Sequence, residues 1–469
     1  MTRDRRAAGE AVAKYLERHA EPEAAAAQEL AGEFGHCLVV PAYGEGESLF
    51  AMIGSATAGP AGDTLIVLVL NARANSPEEV HRANSAVRER LARELPAPAN
   101  PSGDGALLSY PLEHGRLVLV DRARPGSFLP EGQGVGLARK IGFDLALALK
   151  AAGRIASDWI HSTDADTVLP GDYFEQTAML DSEETGAAIY SFEHRFDPDP
   201  VLGEAARLYE ISLRYYVLGL AWAGSPYAYH SMGSCLAIPA AAYARVRGFP
   251  RRNALEDFHA LNKLAKTGKI LRLTGAPLLL EGRISERVPI STGKALAALV
   301  SKRGALDGFR LYHPVVFAHL AAWLRVLAAI AHSGGDPHEP LAELPPDNPF
   351  FRTDLLVGSL EKMGAFHAVR RAIARSKDQT TQLRHLNTWF DALRTVRLIH
   401  ALRDGGLRSL AWRQALAEAP FSGLTASTAE SVEELRRALI TQEKKLGGSP
   451  AGLPSVALPD AASRPDHNS

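Results

Sequence analysis

Short uninterrupted apolar runs alternate with longer stretches of helical periodicity through the first half of the chain. The runs that begin at His36, Thr64 and Arg116 lack the apolar–polar alternation of a half-exposed strand. Such runs are typical of a parallel sheet, because helices cover both of its faces. The pattern therefore predicts an α/β fold of three layers, in which ligands bind beyond the carboxyl ends of the strands.

The periodicity divides the chain into four parts. Residues 1–35 have Ala-rich helical character, and we expect an extension that either caps the α/β domain or stays loose. The α/β domain covers residues 36–293. Residues 294–446 are helical again, which predicts a C-terminal all-α region that packs on the α/β domain or forms a homodimer. The tail 447–469 is rich in Pro, Ser, Gly and Asp, a composition that predicts disorder.

Composition and charge narrow the class of protein. The chain has 469 residues, of which 46% are hydrophobic and 22% are charged, as expected for a globular protein with a substantial core. Its net charge is -1, from 52 Lys and Arg against 53 Asp and Glu. This balance provides no general electrostatic attraction to nucleic acid or to an anionic membrane.

Cysteine usage and the longest apolar run bear on the compartment. Cys37 and Cys235 lie inside apolar runs, which argues against a disulfide framework and favours a reducing compartment. The run Val315–Ala331 is interrupted by His319 and Arg325, which predicts a buried helix and no transmembrane segment. We expect a cytoplasmic protein.

Two carboxylates one residue apart follow a fourth, short run that predicts a strand. Asp164 and Asp166 stand where this strand ends, and in an extended segment they would point to the same side. Carboxylate oxygens suit Mg²⁺ or Mn²⁺, which completes its shell with water and substrate phosphates. The alternative is a pair of solvated loop aspartates, and for an isolated Asp-x-Asp this alternative is the more common one.

A glycine-rich segment precedes the helix that leads to this strand. Arg139 and Lys140 lie near the start of that helix, where backbone N–H groups and the helix dipole favour phosphate. The alternative is a solvated first turn.

Four segments in this order resemble the glycosyltransferases of the GT-A fold, in particular those of family 2. They cover roughly residues 36–280. Val39–Glu45 is similar to the family's "(I/V)-P-x-(Y/L)-N-E", and Gly136–Gly142 is similar to "G-x-x-x-A-R-N-x-G". Ser162–Asp166 stands at the place of the metal-binding Asp-x-Asp. The fourth segment comprises Gly233–Ile238, Arg247–Phe249 and Leu255–Asp257, which are similar to the acceptor strand, the "G-G-F" turn and the "E-D" motif.

The resemblance implies a donor site for a nucleoside diphosphate sugar. Asp166 would hold the divalent cation, and Asp164 would reach the same cation or touch the donor. Pro41, Tyr43 and Glu45 would line the nucleotide site.

Asn71 stands where many members of the family carry an aspartate that reads uracil. An amide both donates and accepts hydrogen bonds, so a uridine donor does not follow, but Asn71 would still bind the donor by presenting polar groups to the same pocket.

The resemblance also assigns the acceptor side. Asp257 would be the general base of an inverting transfer, and Glu256 would contact the acceptor, a small molecule or an envelope-related one. The alternative is an ordinary helix cap, because carboxylates are favourable in the first turn of a helix. His230 is another polar residue for the wall of the acceptor pocket.

A cationic loop follows the last predicted strand of the domain. Arg283 and Arg287 suit the diphosphate or an anionic acceptor, and a solvated linker is the alternative. Retaining GT-A enzymes of the glucosyl- or mannosyl-glycerate type place a histidine ligand for the metal in about this region. No histidine occurs between His259 and His313, so such a closed metal site is not expected.

Three readings of function stay open at this point besides inverting transfer. A retaining GT-A transferase and a non-catalytic protein that binds a nucleotide sugar would share the pocket. A nucleotidyltransferase would share the three-layer fold, but its glycine-rich "G-x-G-T-R" entry is absent from the first strand.

Elsewhere, Glu210 and Arg214 lie four residues apart on a predicted helix, a spacing that predicts a surface ion pair.

Overall fold

A computed structural model of the chain describes residues 3–59, 63–99, 103, 105–282, 292–300, 308–342, 351–376, 378–424 and 431–447. The chain forms two compact units. Unit 1 comprises Met1–Arg214, Tyr229–Arg310 and Leu424–Pro450, and unit 2 comprises Tyr215–Ala228, Leu311–Gly423 and Ala451–Ser469. These bounds differ from the expected division at residue 294, because residues 215–228 group with unit 2 and the last described helix groups with unit 1.

Unit 1 is built around a mixed sheet of eight strands. The strands of the structure are β1 His36–Ala42, β2 Thr64–Asn71, β3 Leu107–Leu112, β4 Gly115–Arg122, β5 Trp159–Ser162, β6 Thr185–Ile189, β7 Phe192–Arg195, β8 Leu236–Pro239, β9 Lys269–Arg272, β10 Leu278–Glu281, β11 Arg310–Leu311 and β12 Leu410–Ala411. The order in the large sheet is β3-β4-β2-β1-β5-β8-β6-β9, while β10 pairs with β7 and β11 pairs with β12.

The helices are α1 Arg3–Arg18, α2 Glu47–Thr57, α3 Glu78–Glu94, α4 Val135–Ala151, α5 Pro200–Trp222, α6 Ala240–Arg245, α7 Glu256–Leu264, α8 Thr292–Val300, α9 Val315–Ser333, α10 His338–Ala342, α11 Thr353–Lys362, α12 Ala365–Ala374, α13 Gln379–Trp389, α14 Ala392–Asp404, α15 Trp412–Glu418 and α16 Val432–Lys445. Short 3-10 helices cover Pro22–Gln28, Glu175–Thr177 and Gly233–Cys235.

The three unbroken apolar runs form the parallel centre of the sheet. Strand β1 pairs in parallel with both β2 and β5, and β2 pairs in parallel with β4. Alternate residues of β1 face opposite sides: Leu38 and Val40 pack in one core with residues of α2 and α3, whereas Val39 lies against Gly142 of α4. Helices thus cover both faces, and the predicted α/β class with a C-terminal helical region is confirmed.

The N-terminal segment is docked on α4. Tyr15 of α1 is buried, and its hydroxyl donates to Asp144 at 2.6 Å. The backbone amide of Glu21 donates to the other oxygen of the same carboxylate at 2.8 Å. Tyr15 and Glu21 thus contact a buried residue of α4.

The described part of unit 2 is mainly helical, with the short strand β12 and Leu311 of β11. One helix, α9, is long and apolar enough to cross a membrane by length and composition, with a mean hydropathy of 1.7 over Val315–His332. Of that window, 67% is buried inside the structure, as in a core helix. The expected disorder of the tail falls, beyond Gly447, outside the described residues.

The prediction that Glu210 and Arg214 form a surface ion pair is wrong. Both side chains are buried, and Arg214 donates to the Glu210 carboxylate at 2.8 and 2.9 Å. The helical spacing was correct, but Arg436 of α16 also donates to Glu210 at 2.9 Å and lies over the pair. A contact between residues so distant in sequence is not visible in the spacing along one helix.

Candidate functional site

The Asp pair lies in a turn directly after β5. Strand β5 ends at Ser162, and the carbonyl of Asp164 accepts a hydrogen bond from the amide of Thr167 at 3.3 Å. Asp166 lies within this turn. The extended geometry expected for Asp164 and Asp166 is therefore replaced by a turn, although both stand at the carboxyl end of a central strand, as predicted.

Arg139 joins the Asp pair to the Glu-Asp segment. Its guanidinium donates to Glu256 at 3.0 Å, to Ser162 at 2.6 Å and to the carboxylate of Asp164. Arg139 and Glu256 are buried, whereas the side chain of Asp164 is 45% exposed. Burial alone would lower the pKa of Arg139, but Asp164 and Glu256 raise it above its ordinary value. These contacts make Arg139 an internal bridge, which does not fit the predicted role of a phosphate ligand.

Lys140 also differs from its predicted role. Its ammonium donates to the Tyr15 hydroxyl at 2.7 Å, to the His19 carbonyl at 2.7 Å and to Asp144 at 2.6 Å. An ammonium has three N–H donors, and these three acceptors occupy them. Lys140 therefore attaches the N-terminal segment to α4 and has no donor left for a substrate phosphate.

The amino end of α4 is covered by a loop of unit 1. The amide of Gly136 donates to the carbonyl of Arg252 at 3.0 Å. A side chain at Gly136 would collide with the carbonyl of Pro250, and one at Gly134 would lie 2.9 Å from the Asn253 side chain. The glycines are thus required by the close approach of this loop, and the Gly136 amide is not open to phosphate.

Asp257 accepts two backbone hydrogen bonds at the start of α7. The amide of Gly233 donates to one carboxylate oxygen at 2.8 Å, and the amide of Phe258 donates to the other at 2.7 Å. Burial and the neighbouring Glu256 raise the pKa of Asp257 to about 7, against the opposing effects of Arg139 and the Phe258 amide. A carboxylate with this pKa accepts a proton at neutral pH more readily than an ordinary aspartate does.

The backbone before Asp257 adopts an uncommon conformation. Leu255 has φ 60, in the left-handed region, and it is 40% exposed. This conformation is unfavourable for a residue with a branched side chain, and such residues concentrate at functional sites. The turn at Leu255 starts α7 with Glu256 and Asp257 in its first turn, where the helix dipole favours negative charge.

Gly233 brings the acceptor-strand segment against the bridge. A side chain at Gly233 would overlap the guanidinium of Arg139, so only glycine permits this contact. The same residue donates its amide to Asp257. The contacts of Ser162 and Gly233 were not predicted, although both residues lie inside motifs quoted from the sequence.

The ends of β1 and β2 are tied together by amides. The side-chain nitrogen of Asn71 donates to the Ala42 carbonyl at 2.8 Å and to the Val69 carbonyl at 3.3 Å. Asn84 donates to the Asn71 carbonyl at 3.1 Å and accepts from the Gly44 amide at 3.1 Å. Asn71 is buried, so its amide nitrogen supports the loop after β1 and is not available to a base.

The other predicted nucleotide residues lie on that loop or beside it. Pro41 is a buried residue of β1, and Tyr43 and Glu45 follow the strand and are partly exposed. The Tyr43 hydroxyl donates to Ser76 at 3.1 Å. Arg283 and Arg287 lie outside the described residues.

The residues after β5 fit one kind of metal site. Among the described residues, no group of three or more His, Cys, Asp or Glu side chains is arranged to hold a metal ion. Asp166 lies in the same turn as Asp164, which shares its carboxylate with Arg139, and both carboxylates are candidate ligands. A cation that takes one or two carboxylates and fills its shell with water and substrate phosphates fits this set, and Mg²⁺ and Mn²⁺ are such cations.

Comparison with known proteins adds little to this geometry. No protein-family model matches the sequence, and no curated protein matches it. The crystal structure of S. aureus TarS 1-349 aligns with a TM-score of 0.33 and 10% identity, over 76% of this chain and 91% of that chain. A mannosyltransferase, PcManGT from Pyrobaculum calidifontis in complex with GDP-Man and Mn²⁺, aligns with a TM-score of 0.32 and 17% identity, over 83% and 96%. Likenesses this weak carry no argument about fold or function.

Proposed function

We propose that the protein is a glycosyltransferase that moves a sugar from a nucleoside diphosphate donor to an acceptor hydroxyl, with Mg²⁺ or Mn²⁺. The observation that carries this proposal is the bridge of Arg139 between Asp164, Ser162 and Glu256. The Asp pair and the Glu-Asp segment are far apart in sequence, and both resemble motifs of family 2. Both contact the same buried guanidinium, that of Arg139. Neither solvated loop aspartates nor a simple helix cap requires such a bridge.

The two ends of the bridge have different tasks. Asp166, with Asp164 beside it, would hold the cation, which when bound neutralises the diphosphate and makes it a better leaving group. Tyr43 and Glu45, on the loop after β1, would contact the nucleotide. Arg139 orients Asp164 through its bond to the Asp164 carboxylate and does not itself touch the donor.

Asp257 would take the acceptor proton. In an inverting transfer, the acceptor oxygen forms a bond to the anomeric carbon as the bond from that carbon to the diphosphate oxygen breaks. The acceptor proton passes to a carboxylate oxygen of Asp257, and the diphosphate leaves with the electron pair. The raised pKa of Asp257 makes its carboxylate a stronger base than that of an ordinary aspartate. Glu256, fixed by Arg139, keeps a second carboxylate at the acceptor side.

A thermal-shift screen of nucleotide sugars with and without Mn²⁺ tests the donor site, because a ligand of the native state raises its stability. We expect at least one nucleotide sugar to raise the melting temperature only when Mn²⁺ is present. Asp166→Ala should abolish the Mn²⁺-dependent part. Unchanged Mn²⁺-dependent binding in Asp166→Ala would contradict the metal assignment. Lys269→Ala, which removes an exposed ion pair with Glu184, is the matched control.

A further inference from the structure

The carboxyl-terminal half of α16 contacts the segment that leads into the candidate site. Glu443 pairs with the Nε2 of His230 through one carboxylate oxygen and with Arg214 through the other. All three residues belong to unit 1, and Arg214 and His230 are buried. Burial alone would raise the pKa of Glu443, but His230 and Arg214 hold it at about 2, so the carboxylate is charged at neutral pH.

The partners of Glu443 are themselves held in place. Arg214 donates to the carbonyl of Phe192 at 2.6 Å and to Glu210. The Phe192 ring meets the His230 ring edge-on, with centroids 4.9 Å apart. Glu443 thus links His230 to Arg214, which is itself bonded to Phe192 and Glu210.

Only Ser231 and Met232 separate His230 from Gly233. Residues 229–232 form neither helix nor strand. Gly233 then starts a 3-10 helix, donates its amide to Asp257 at 2.8 Å and lies against the Arg139 guanidinium. In the segment His230–Gly233, the first residue is therefore bound by Glu443, and the last residue supplies a hydrogen bond to the candidate base.

We propose that Glu443 is a positioning residue for catalysis: through His230 it sets the place of the Gly233 amide, and through that amide the orientation of the Asp257 carboxylate. The inference rests on the proposed function, in which Asp257 is the base. It assigns the C-terminal helix a part in the chemistry, although no residue of α16 is placed against substrate.

The direction of the effect on Asp257 follows from hydrogen bonding. An N–H donated to a carboxylate favours the charged form and lowers the pKa. If the Gly233 amide moves away, the pKa of Asp257 rises above about 7. The other groups that face Asp257 are Glu256 on its own helix, Arg139 of α4 and Asp164 after β5. Glu443 contacts His230 and Arg214 and is not bonded to any of these groups, so the segment His230–Gly233 connects it to Asp257.

The test compares Glu443 with another acid of the same helix. Glu443→Ala removes the contact to His230, and Glu443→Gln removes its charge in nearly the same volume. Glu433→Gln is the matched control, because Glu433 pairs with Arg207 and Arg436 on the same face of α16 and does not contact His230.

We expect Glu443→Ala to lower kcat between about tenfold and a hundredfold, because a small displacement of a catalytic group has an effect of that size. The donor KM should stay unchanged, and the acid limb of the kcat/KM profile should move to higher pH. Glu433→Gln should change neither. His230→Ala should reproduce the Glu443→Ala profile, and the double variant should add little. If Glu443→Ala does not fold, the same measurement is made on Glu443→Gln, for which we expect the acid limb of the kcat/KM profile to move to higher pH as well.

Hydrogen exchange of the Gly233 amide provides a readout independent of turnover. We expect it to exchange at least about tenfold faster in Glu443→Gln than in the wild type or in Glu433→Gln, since an amide exchanges when its hydrogen bond opens. Unchanged exchange together with an unmoved acid limb overturns the inference. A different result would show that the proposed function is wrong. In that case Asp257→Asn would leave transfer intact, whatever the effect of Glu443 on Gly233.

Discussion

Replacing Arg139 by methionine removes the guanidinium between β5 and α7 while keeping a side chain of similar length. Its bonds to Glu256 and Ser162 connect buried groups, whereas Asp164 is half-exposed and can regain water. Removing one partner of a buried ion pair costs about 3–5 kcal/mol, because the other charge is left buried without compensation. We therefore expect Arg139→Met to lower the free energy of unfolding of unit 1 by about 3–5 kcal/mol.

Urea unfolding followed by intrinsic fluorescence measures this loss. Lys269→Met removes an exposed ion pair with Glu184 of 2.7 Å and should leave the midpoint unchanged. The double variant Arg139→Met/Glu256→Gln should be more stable than Arg139→Met alone, because no buried charge is then left unpaired. A loss in Arg139→Met no larger than that of the Lys269 control would refute the buried bridge.

Three further predictions follow from individual contacts. Lys140→Met should lower stability by about 3–5 kcal/mol, since Asp144 is left buried, yet leave nucleotide-sugar affinity unchanged; reduced affinity in binding measurements on the folded variant would return Lys140 to the donor site. Asn71→Asp should cost about 1–3 kcal/mol in chemical denaturation, because a carboxylate would face the Ala42 carbonyl; an unchanged midpoint would contradict that contact. The raised pKa of Asp257 favours its protonated form in the native state, so its contribution to stability is lost as pH rises towards about 7. Asp257→Asn should therefore melt higher than the wild type above about pH 7, with the difference vanishing near pH 4 in thermal melts; a constant difference would exclude this titration.

The sequence predicted the features that depend on consecutive residues, such as the apolar strands and the motifs. The apolar runs from His36 and Thr64 became β1 and β2, and the carboxylates after the fourth run stand at the end of β5. The ordered motifs also indicated that the Asp pair and the Glu-Asp segment belong to one site, and Arg139 joins them. Both kinds of prediction succeed because an apolar run and the order of motifs can be read directly along the chain.

The partners of charged residues could not be predicted in the same way. Arg139 and Glu256 are 117 positions apart, so a first-turn cation was expected to face a phosphate or water. Lys140 meets an acceptor from the N-terminal segment, and Glu210 meets Arg436 of the last described helix. Such pairings follow from the tertiary fold, which helical spacing does not contain.

Proline and glycine explain two details of the regular structure. Strand β3 contains Pro111, which discourages assignment as a strand, but β3 lies at the edge of the sheet, where proline is tolerated. The helical pattern between residues 353 and 374 is interrupted at Gly364, which has φ 69 and ends the continuous periodicity.

The rate of sugar transfer by Asp257→Asn tests the central claim most directly. The variant keeps the size of the side chain and removes its capacity to accept a proton. With a nucleotide sugar identified by the thermal-shift screen and saturating Mn²⁺, we expect transfer to fall by about 10²–10⁴-fold with donor affinity unchanged. Transfer at the wild-type rate would contradict the account.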